Sequence, residues 1–469
     1  HYTVYNINGR KRKLVGRKKE IIELNNLYNS DKSELVAIYG RRRIGKTYLV
    51  DEALKGRITF RHAGLSPVDT DKKGMLKQQL EHFYYSLQIQ GMKQRKKPTS
   101  WLEAFFMLEQ FLEQVDDGSR QVIFLDELPW LDTPRSGFMT AFEGFWNTWG
   151  CHRDNLMVVI CGSANSWILD NLINNHGGLY NRVTYEIKLS PFTLRECEEF
   201  YQNYNIRLSR YDIVQSYMIL GGVPFYMGYF QSGKSLAQNI DNLFFSKQGK
   251  LKDEYNRLFA SIFSNPESMQ KIVKLLYTKN AGYTRKELIE KLDVKDGGNL
   301  SQSLNALIAS DFVIKYLPFG KGEKERYKLV DPFCMFYLHF VDGKKQVNPD
   351  FWKQNVTAQS VASWRGFAYE NVCFHHIDQI KRALGISGVI TTQSAWSKRG
   401  GDSDGTQIDM LISRNDNVVN MCEIKYYGDT FEVDKGYYRV LMHRQEQLAK
   451  QVSPKISIHN TLITTFCLR

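Results

Sequence analysis

No apolar run in the sequence approaches the roughly 18 residues that a membrane-crossing helix requires, and no signal-peptide pattern opens it. That argues against a spanning helix and predicts a cytoplasmic protein with no membrane partner. Paired cysteines are lacking too. The seven present (Cys151, Cys161, Cys197, Cys334, Cys373, Cys422 and Cys467) are odd in number, scattered and never spaced C-x-x-C. This spacing excludes a zinc ribbon or a disulfide scaffold and predicts reduced thiols. Methionine is missing at the first position, where His1 stands; the native start is expected to be lost or replaced.

What is present describes a globular chain of several domains. Its 469 residues exceed one hydrophobic core, so two to four domains are expected. A content of 42% hydrophobic and 24% charged residues is ordinary for a soluble fold. The formal charge of +13 is compatible with a nucleic-acid partner without requiring one. Basic residues crowd into RKRKLVGRKK, Arg10 to Lys19, which reads as a solvated lead.

The clearest chemical signal is SELVAIYGRRRIGKTYLVDEAL, Ser33 to Leu54: a short apolar strand, a loop and a helical pattern. The loop spells Gly40-x-x-x-x-Gly45-Lys46-Thr47, the P-loop pattern. Glycines let backbone N–H groups curl round phosphates, Lys46 reaches the β and γ oxygens, and Thr47 carries Mg²⁺. ATP and Mg²⁺ are therefore the expected cofactors. Arg41, Arg42 and Arg43 inside the loop read as solvated charges.

A P-loop needs a metal-holding acid on a neighbouring strand. QVIFLDELPWLD, Gln121 to Asp132, supplies four apolar residues followed by Asp126 and Glu127. A buried parallel strand reads as a continuous apolar run, with ligands at its C-terminal end. Asp126 is expected to hold Mg²⁺ through water and Glu127 to polarise the attacking water. The next run, LMVVICGSANS from Leu156 to Ser166, is a further strand whose polar end offers Ser163 or Asn165 as a γ-phosphate sensor or, equally, a turn cap.

Taken in order, VGR (Val15 to Arg17), GRRRIGKT, FLDE, CGSANS, NRVTYEIKLSPFT (Asn181 to Thr193) and GGVP (Gly221 to Pro224) resemble the archaeal and bacterial STAND-type ATPases, relatives of the AAA+ and origin-recognition ATPases. The likeness covers roughly residues 10 to 250. It implies an adenine-side contact from Gly16 and Arg17, and a helical lid whose Pro224 packs near the adenine. It also implies a phosphate-facing arginine at Arg182, acting in cis or from a neighbouring molecule. On chemistry alone, Arg182 reads equally as a surface ion pair.

Residues Ser268 to Pro332 then show helical spacing at Ile272, Leu275 and Leu276, at Leu288 and Leu292, and at Leu300, Leu304 and Leu307. Three short helices followed by two strands round PFGKGEKER describe a winged helix with a recognition helix over Asn299 to Ser310. Ser301, Gln302, Ser303 and Asn305 are its expected exposed face, while the wing carries Lys315, Lys321, Lys324, Arg326 and Lys328. Phosphate contact through the wing is open; base readout lacks its usual Arg or Lys.

Beyond about Phe351 the pattern changes. SWRGFAYENVCFHHIDQI, Ser363 to Ile380, is an amphipathic helix containing Glu370, and a hairpin follows in QIDMLISRNDNVVNMCEIKYY, Gln407 to Tyr427. Alternation turns Glu423 and Lys425 to the face opposite Cys422 and Ile424, and turns Asp409 away from Ile408 and Met410. A turn centred on Asp416 sets Asp409 across from Glu423. Like charges directly opposite are unfavourable unless a cation lies between them. Such a trio can hold Mg²⁺ and use Lys425 to orient a water. The arrangement resembles the PD-(D/E)XK nuclease core, which implies Asp409, Glu423 and Lys425 as the motif and Glu370 as the acid on the preceding helix. The triplet alone is not informative, because Glu186-Ile187-Lys188 repeats it on another strand.

The expected fold is α/β and multidomain: a P-loop ATPase core over 1–190, a helical lid over 191–255, a winged helix over 256–342 and a restriction-endonuclease-like domain over 343–469. The expected function is an ATP-driven STAND-type switch controlling a metal-dependent nuclease-like effector, on DNA more than RNA, with a protein partner or homo-oligomer open. The alternatives are a non-catalytic ATP-gated scaffold that binds DNA or protein, and an ATP-driven remodeller.

Overall fold

The computed structural model describes residues 14–66, 74–163, 165–173, 179, 181–320, 322–343, 348–398 and 406–468. The basic lead before Leu14, the wing residue Lys321 and the side chain of Asn165 fall outside these.

Strands β1 (Glu34–Tyr39), β2 (Phe60–Ala63), β3 (Gln121–Asp126), β4 (Leu156–Gly162) and β5 (Tyr185–Lys188) form a sheet ordered β2-β3-β4-β1-β5, parallel throughout. Every residue of β1, β3 and β4 is buried. The reason is that both faces are covered. Leu35, Ala37, Ile123, Leu125, Val158 and Ile160 enter one core, while Val36, Ile38, Val122, Phe124, Met157 and Val159 enter the other. This is the α/β arrangement of P-loop NTPases, with β4 between the strand of the P-loop and the strand of Asp126.

Helices Leu194–Asn203 and Arg210–Leu220 follow, each opened by a capping box, from Thr193 with Glu196 and from Ser209 with Asp212. Next come helices Pro266–Tyr277, Arg285–Leu292 and Gly298–Ala309 and a small antiparallel sheet, β6 (Tyr283–Thr284), β7 (Val313–Tyr316) and β8 (Arg326–Leu329), ordered β6-β8-β7. The β7–β8 hairpin, expected to be a basic wing, is not an open basic arm. Lys315 pairs with Glu325 at 3.1 Å and Arg326 with Glu323 at 4.0 Å. Lys328 is only 6% exposed, which corrects its reading as a wing charge in solvent. The Phe319 N–H donates to the Ala395 carbonyl at 3.0 Å, so the loop between β7 and β8 is hydrogen-bonded to the C-terminal sheet.

That sheet contains β9 (Thr391–Lys398), β10 (Thr406–Arg414), β11 (Val418–Lys425) and β12 (Ser457–Thr464), ordered β12-β11-β10-β9. Strands β11 and β12 run parallel and the other pairs antiparallel. Helix Gln359–His375 contacts β11, and helix Lys435–Ala449 contacts β10 and β12. Met410 sits opposite Cys422 and Leu411 opposite Met421, the register that a turn centred on Asp416 predicts. The alternation does not hold along β10. A bulge between Ile408 and Leu411 sends Ile408 to the face of Leu411, Val419 and Met421, while Met410 joins Ile412, Cys422 and Ile424. An extra residue in one strand shifts every side chain before it to the other face. One apolar cluster runs from Phe192 and Met218 through Leu304 and Phe336 to Met410 and Ile424, so the C-terminal sheet shares a core with the helices before it.

Candidate functional site

Glycine is required at Gly40, whose φ is 149° and where a Cβ would lie 2.1 Å from the Leu189 carbonyl oxygen. Lys46 opens the following helix and is 5% exposed. Its ammonium donates to the carbonyls of Gly40 (2.9 Å) and Arg41 (3.1 Å) and to Ser163 Oγ (3.0 Å). Burial lowers its pKa, and the nearby Glu127 and Asp126 charges oppose that. Thr47 Oγ1 donates to Asp126 Oδ2 at 2.7 Å. Burial, then the Glu127 charge, raises the Asp126 pKa. A buried carboxylate beside a hydroxyl is a hard-oxygen pair short of positive charge, which fits Mg²⁺.

Ser163 links the two halves of this pocket. Its hydroxyl donates to Glu127 Oε1 at 2.8 Å and its N–H to Glu127 Oε2 at 3.1 Å. Strand order explains the bridge: β4 lies between β1 and β3, so its polar end emerges between Lys46 and Glu127.

Around the pocket, several residues are placed otherwise than as solvated or ligand-facing groups. Arg41 is 1% exposed and ion-paired with Asp331. Arg43 lies 2.8 Å from Glu254, itself 2% exposed, and stacks on Phe225. Arg17 donates to the Ser190 carbonyl at 2.7 Å with its guanidinium over the Phe192 ring. Its side chain thus binds protein carbonyls, and burial lowers its pKa. Gly16, at φ 63°, abuts Glu196. Pro224 begins a short helix after the Gly221–Gly222 turn. Arg182 is exposed.

In the C-terminal sheet, Glu423 is 3% exposed. It accepts from Tyr437 Oη at 2.7 Å and from Arg444, and Lys425 Nζ is 2.6 Å away. Burial alone would raise the Glu423 pKa, yet these donors hold it below the usual value. Asp409 Oδ2 accepts the Ile424 N–H at 3.1 Å, so the register sets it beside the Glu423-x-Lys425 turn of strand. Burial and the Glu423 charge raise its pKa. Glu370 accepts from Asn280 Nδ2 at 3.0 Å. Burial raises its pKa and Lys328 opposes the rise. Among the described residues no group of three or more His, Cys, Asp or Glu side chains is gathered to hold a metal. The expected trio of Glu370, Asp409 and Glu423 is not assembled as one ligand set, because each carboxylate already faces protein donors. A metal does not fit there in this conformation. The other triplet behaves as a surface strand: Lys188 pairs with Asp311 at 2.6 Å.

Fold and pocket together define a P-loop ATPase. Residues 14–230 match the family of ATPase domains found predominantly in Archaea, and the chain carries a domain of that family. It is 24% identical over 410 residues to an uncharacterized protein of Methanocaldococcus jannaschii, covering 86% of this chain and 84% of that one. An uncharacterized ATP-binding protein of the same organism is 42% identical over 43 residues, 9% of this chain and 73% of its own length. Among solved structures, the Walker-type ATPase of Pyrococcus abyssi aligns with a TM-score of 0.47 and 17% identity, over 70% of this chain and 97% of that one. No helix among the described residues is long and apolar enough to cross a membrane.

Asp331, Glu254, Asn280, Tyr437 and Arg444 carried no signal in the sequence. All are common polar residues far from their partners in sequence, Asp331 290 positions from Arg41 and Asn280 90 from Glu370, with Tyr437 and Arg444 on the helix after β11 at 14 and 21 from Glu423, and only packing identifies them.

Proposed function

We propose that this chain is a STAND-type switch in which ATP binding and hydrolysis set the state of a C-terminal nuclease-like module that acts on nucleic acid, DNA in preference to RNA. In the core, Lys46 neutralises the β and γ oxygens, Glu127 orients the attacking water, and Ser163 ties the two together. Thr47 and Asp126 would hold Mg²⁺, which when bound offsets the charge developing on the phosphates. Gly16 and Pro224 border the adenine side, and the exposed Arg182 acts on the nucleotide of a neighbouring copy. The working division is an ATPase core to residue 190, a lid to 255, a winged helix to 342 and the nuclease-like module beyond.

One observation carries the C-terminal part. The Ile424 N–H donates to Asp409 across the β10–β11 register, bringing Asp409 alongside Glu423 and Lys425 on a mixed sheet flanked by two helices. That is the residue set of a PD-(D/E)XK core. Glu423 is ion-paired to Lys425 and Arg444 here, and Asp409 and Glu370 accept from the Ile424 N–H and the Asn280 amide, so no metal-dependent step is derived from this conformation. The rival reading is a non-catalytic ATP-gated scaffold, favoured by the complete engagement of Glu423.

Plasmid nicking by the full chain, with Mn²⁺ and with or without ATP, separates the two. Nicking that needs Mn²⁺, disappears in Asp409→Ala and survives Glu186→Gln supports the nuclease. Absence of metal-dependent cleavage in every nucleotide state sinks it in favour of the scaffold.

A further inference from the structure

Four consecutive residues, Lys328-Leu329-Val330-Asp331, run from the Arg41 ion pair at the phosphate loop to the helix that carries Glu370. At one end, Asp331 is 1% exposed. Its carboxylate pairs with both terminal nitrogens of Arg41, Nη2 to Oδ1 at 3.4 Å and Nη1 to Oδ2 closer. Oδ1 also accepts the Cys334 N–H at 2.7 Å and so caps helix Pro332–Phe340. Arg41 is equally buried and lies over the Phe312 ring. The same residue offers its backbone carbonyl to the Lys46 ammonium at 3.1 Å. Arg41 thus shapes the phosphate loop with its main chain and grips residue 331 with its side chain.

At the other end, the Lys328 ammonium sits 5.0 Å from the Phe374 ring centroid, one turn beyond Glu370 on the same helix. Glu370 and Asp409 are the charges that offset the burial of Lys328. The segment between is stiff. Leu329 and Val330 are 4% and 2% exposed. Leu329 pairs with Val313, and the N–H groups of Val330 and Asp331 both donate to the Phe312 carbonyl, at 3.0 and 3.3 Å.

We infer that residues 328–331 form a rigid lever by which rearrangement of the P-loop on nucleotide binding shifts the buried Lys328 ammonium against helix Gln359–His375, which carries Glu370. Separating a buried ion pair strands two charges in a low dielectric, so Asp331 follows Arg41, and strand pairing makes Lys328 follow Asp331. The Lys328 charge and those of Glu370 and Asp409 act on one another, so its position bears on whether those acids take up a cation. What Lys328 guards rests on the nuclease-like reading above; the coupling itself does not. Coupling between two binding equilibria is reciprocal, so a change at Lys328 must be felt at the nucleotide.

The test is calorimetric titration of the full chain with a non-hydrolysable ATP analogue and Mg²⁺, comparing wild type, Lys328→Met and the control Lys286→Met, whose side chain is 79% exposed. Lys328→Met should shift nucleotide affinity by about fivefold or more, a typical coupling, and the control should match wild type. An unchanged affinity in folded Lys328→Met overturns the lever. Should that variant not fold, hydrogen exchange on the wild type decides: saturating analogue should alter protection of residues 328–331 and of the helical turn around Glu370, and no change there overturns the lever. Mn²⁺ stabilisation that appears in Lys328→Met and is lost on adding Asp409→Ala supports both readings. An affinity shift with no response to Mn²⁺ sustains the lever and removes the metal site.

Discussion

At Lys46, burial and charge pull in opposite directions. The ammonium is 5% exposed; burial lowers its pKa, the Glu127 and Asp126 charges oppose that, and two carbonyls and a hydroxyl accept from it, partners that phosphate oxygens can replace. Lys46→Ala should weaken ATP binding by roughly 1.5–3 kcal/mol, about 10- to 100-fold or more, in a fluorescent-nucleotide titration. Glu127→Gln should leave that affinity near wild type and slow single-turnover hydrolysis roughly 10²- to 10⁴-fold, since only the water-orienting group is lost. Equal affinity for wild type and Lys46→Ala would overturn the pocket. A second residue sets a pH limit. His62 is 2% exposed, its Nδ1 lies 2.8 Å from Ser86 Oγ, and burial with the neighbouring His82 takes its pKa down to about 3. The folded state keeps it neutral while the unfolded chain protonates it below about 6.5. Its contribution is therefore intact above about pH 6.5 and drains away as pH falls toward 3, by about 1.4 kcal/mol per pH unit. Melting temperature should drop from pH 7 to pH 5, and His62→Gln should flatten that drop.

Helix Lys435–Ala449 shows how one element can lock a strand. Tyr437 and Arg444 are seven residues apart, two helical turns, and so lie on one face, where both reach Glu423. Arg444→Met leaves Glu423 buried with fewer donors, and its pKa should rise. A carboxylate whose folded pKa is depressed stabilises above its unfolded pKa and loses that contribution as pH falls through the folded value. The cost of Arg444→Met should thus be about 1.5–3 kcal/mol at neutral pH and shrink below about pH 4, read as the melting-temperature gap from wild type. A gap independent of pH would mean that Arg444 acts through packing of its stem.

For the whole molecule, the question is whether one copy completes the reaction. Arg182 is exposed, in keeping with service to a neighbour. Hydrolysis per molecule should then rise with protein concentration, and Arg182→Ala should abolish the rise, roughly 10³-fold at saturation for an arginine finger, while nucleotide affinity stays the same. A rate that is flat with concentration would assign Arg182 to a role within its own chain.

Legibility followed chemistry. The P-loop and the strand of Asp126 were readable because phosphate binding demands rare residue types at set spacing, and a strand covered on both faces must be apolar throughout. The β10–β11 register was readable because a short turn determines it locally. The bulge beside Asp409 was not, since the extra residue is defined by β9, eight or more positions upstream across a loop. Sequence by itself determined the P-loop and its acidic strand, the parallel sheet that carries them and the hairpin register that sets Met410 opposite Cys422. Only the tertiary structure decided which charges are spent on one another. Arg41 and Arg43 read as solvated in one dimension yet pair with the buried Asp331 and Glu254, and Lys328, read as a wing charge, is buried with its charge offset by Glu370 and Asp409. Charges pair in the interior because a buried ion without a partner costs several kcal/mol, and which partner lies within reach is a property of packing, to which neither residue's neighbours in sequence point.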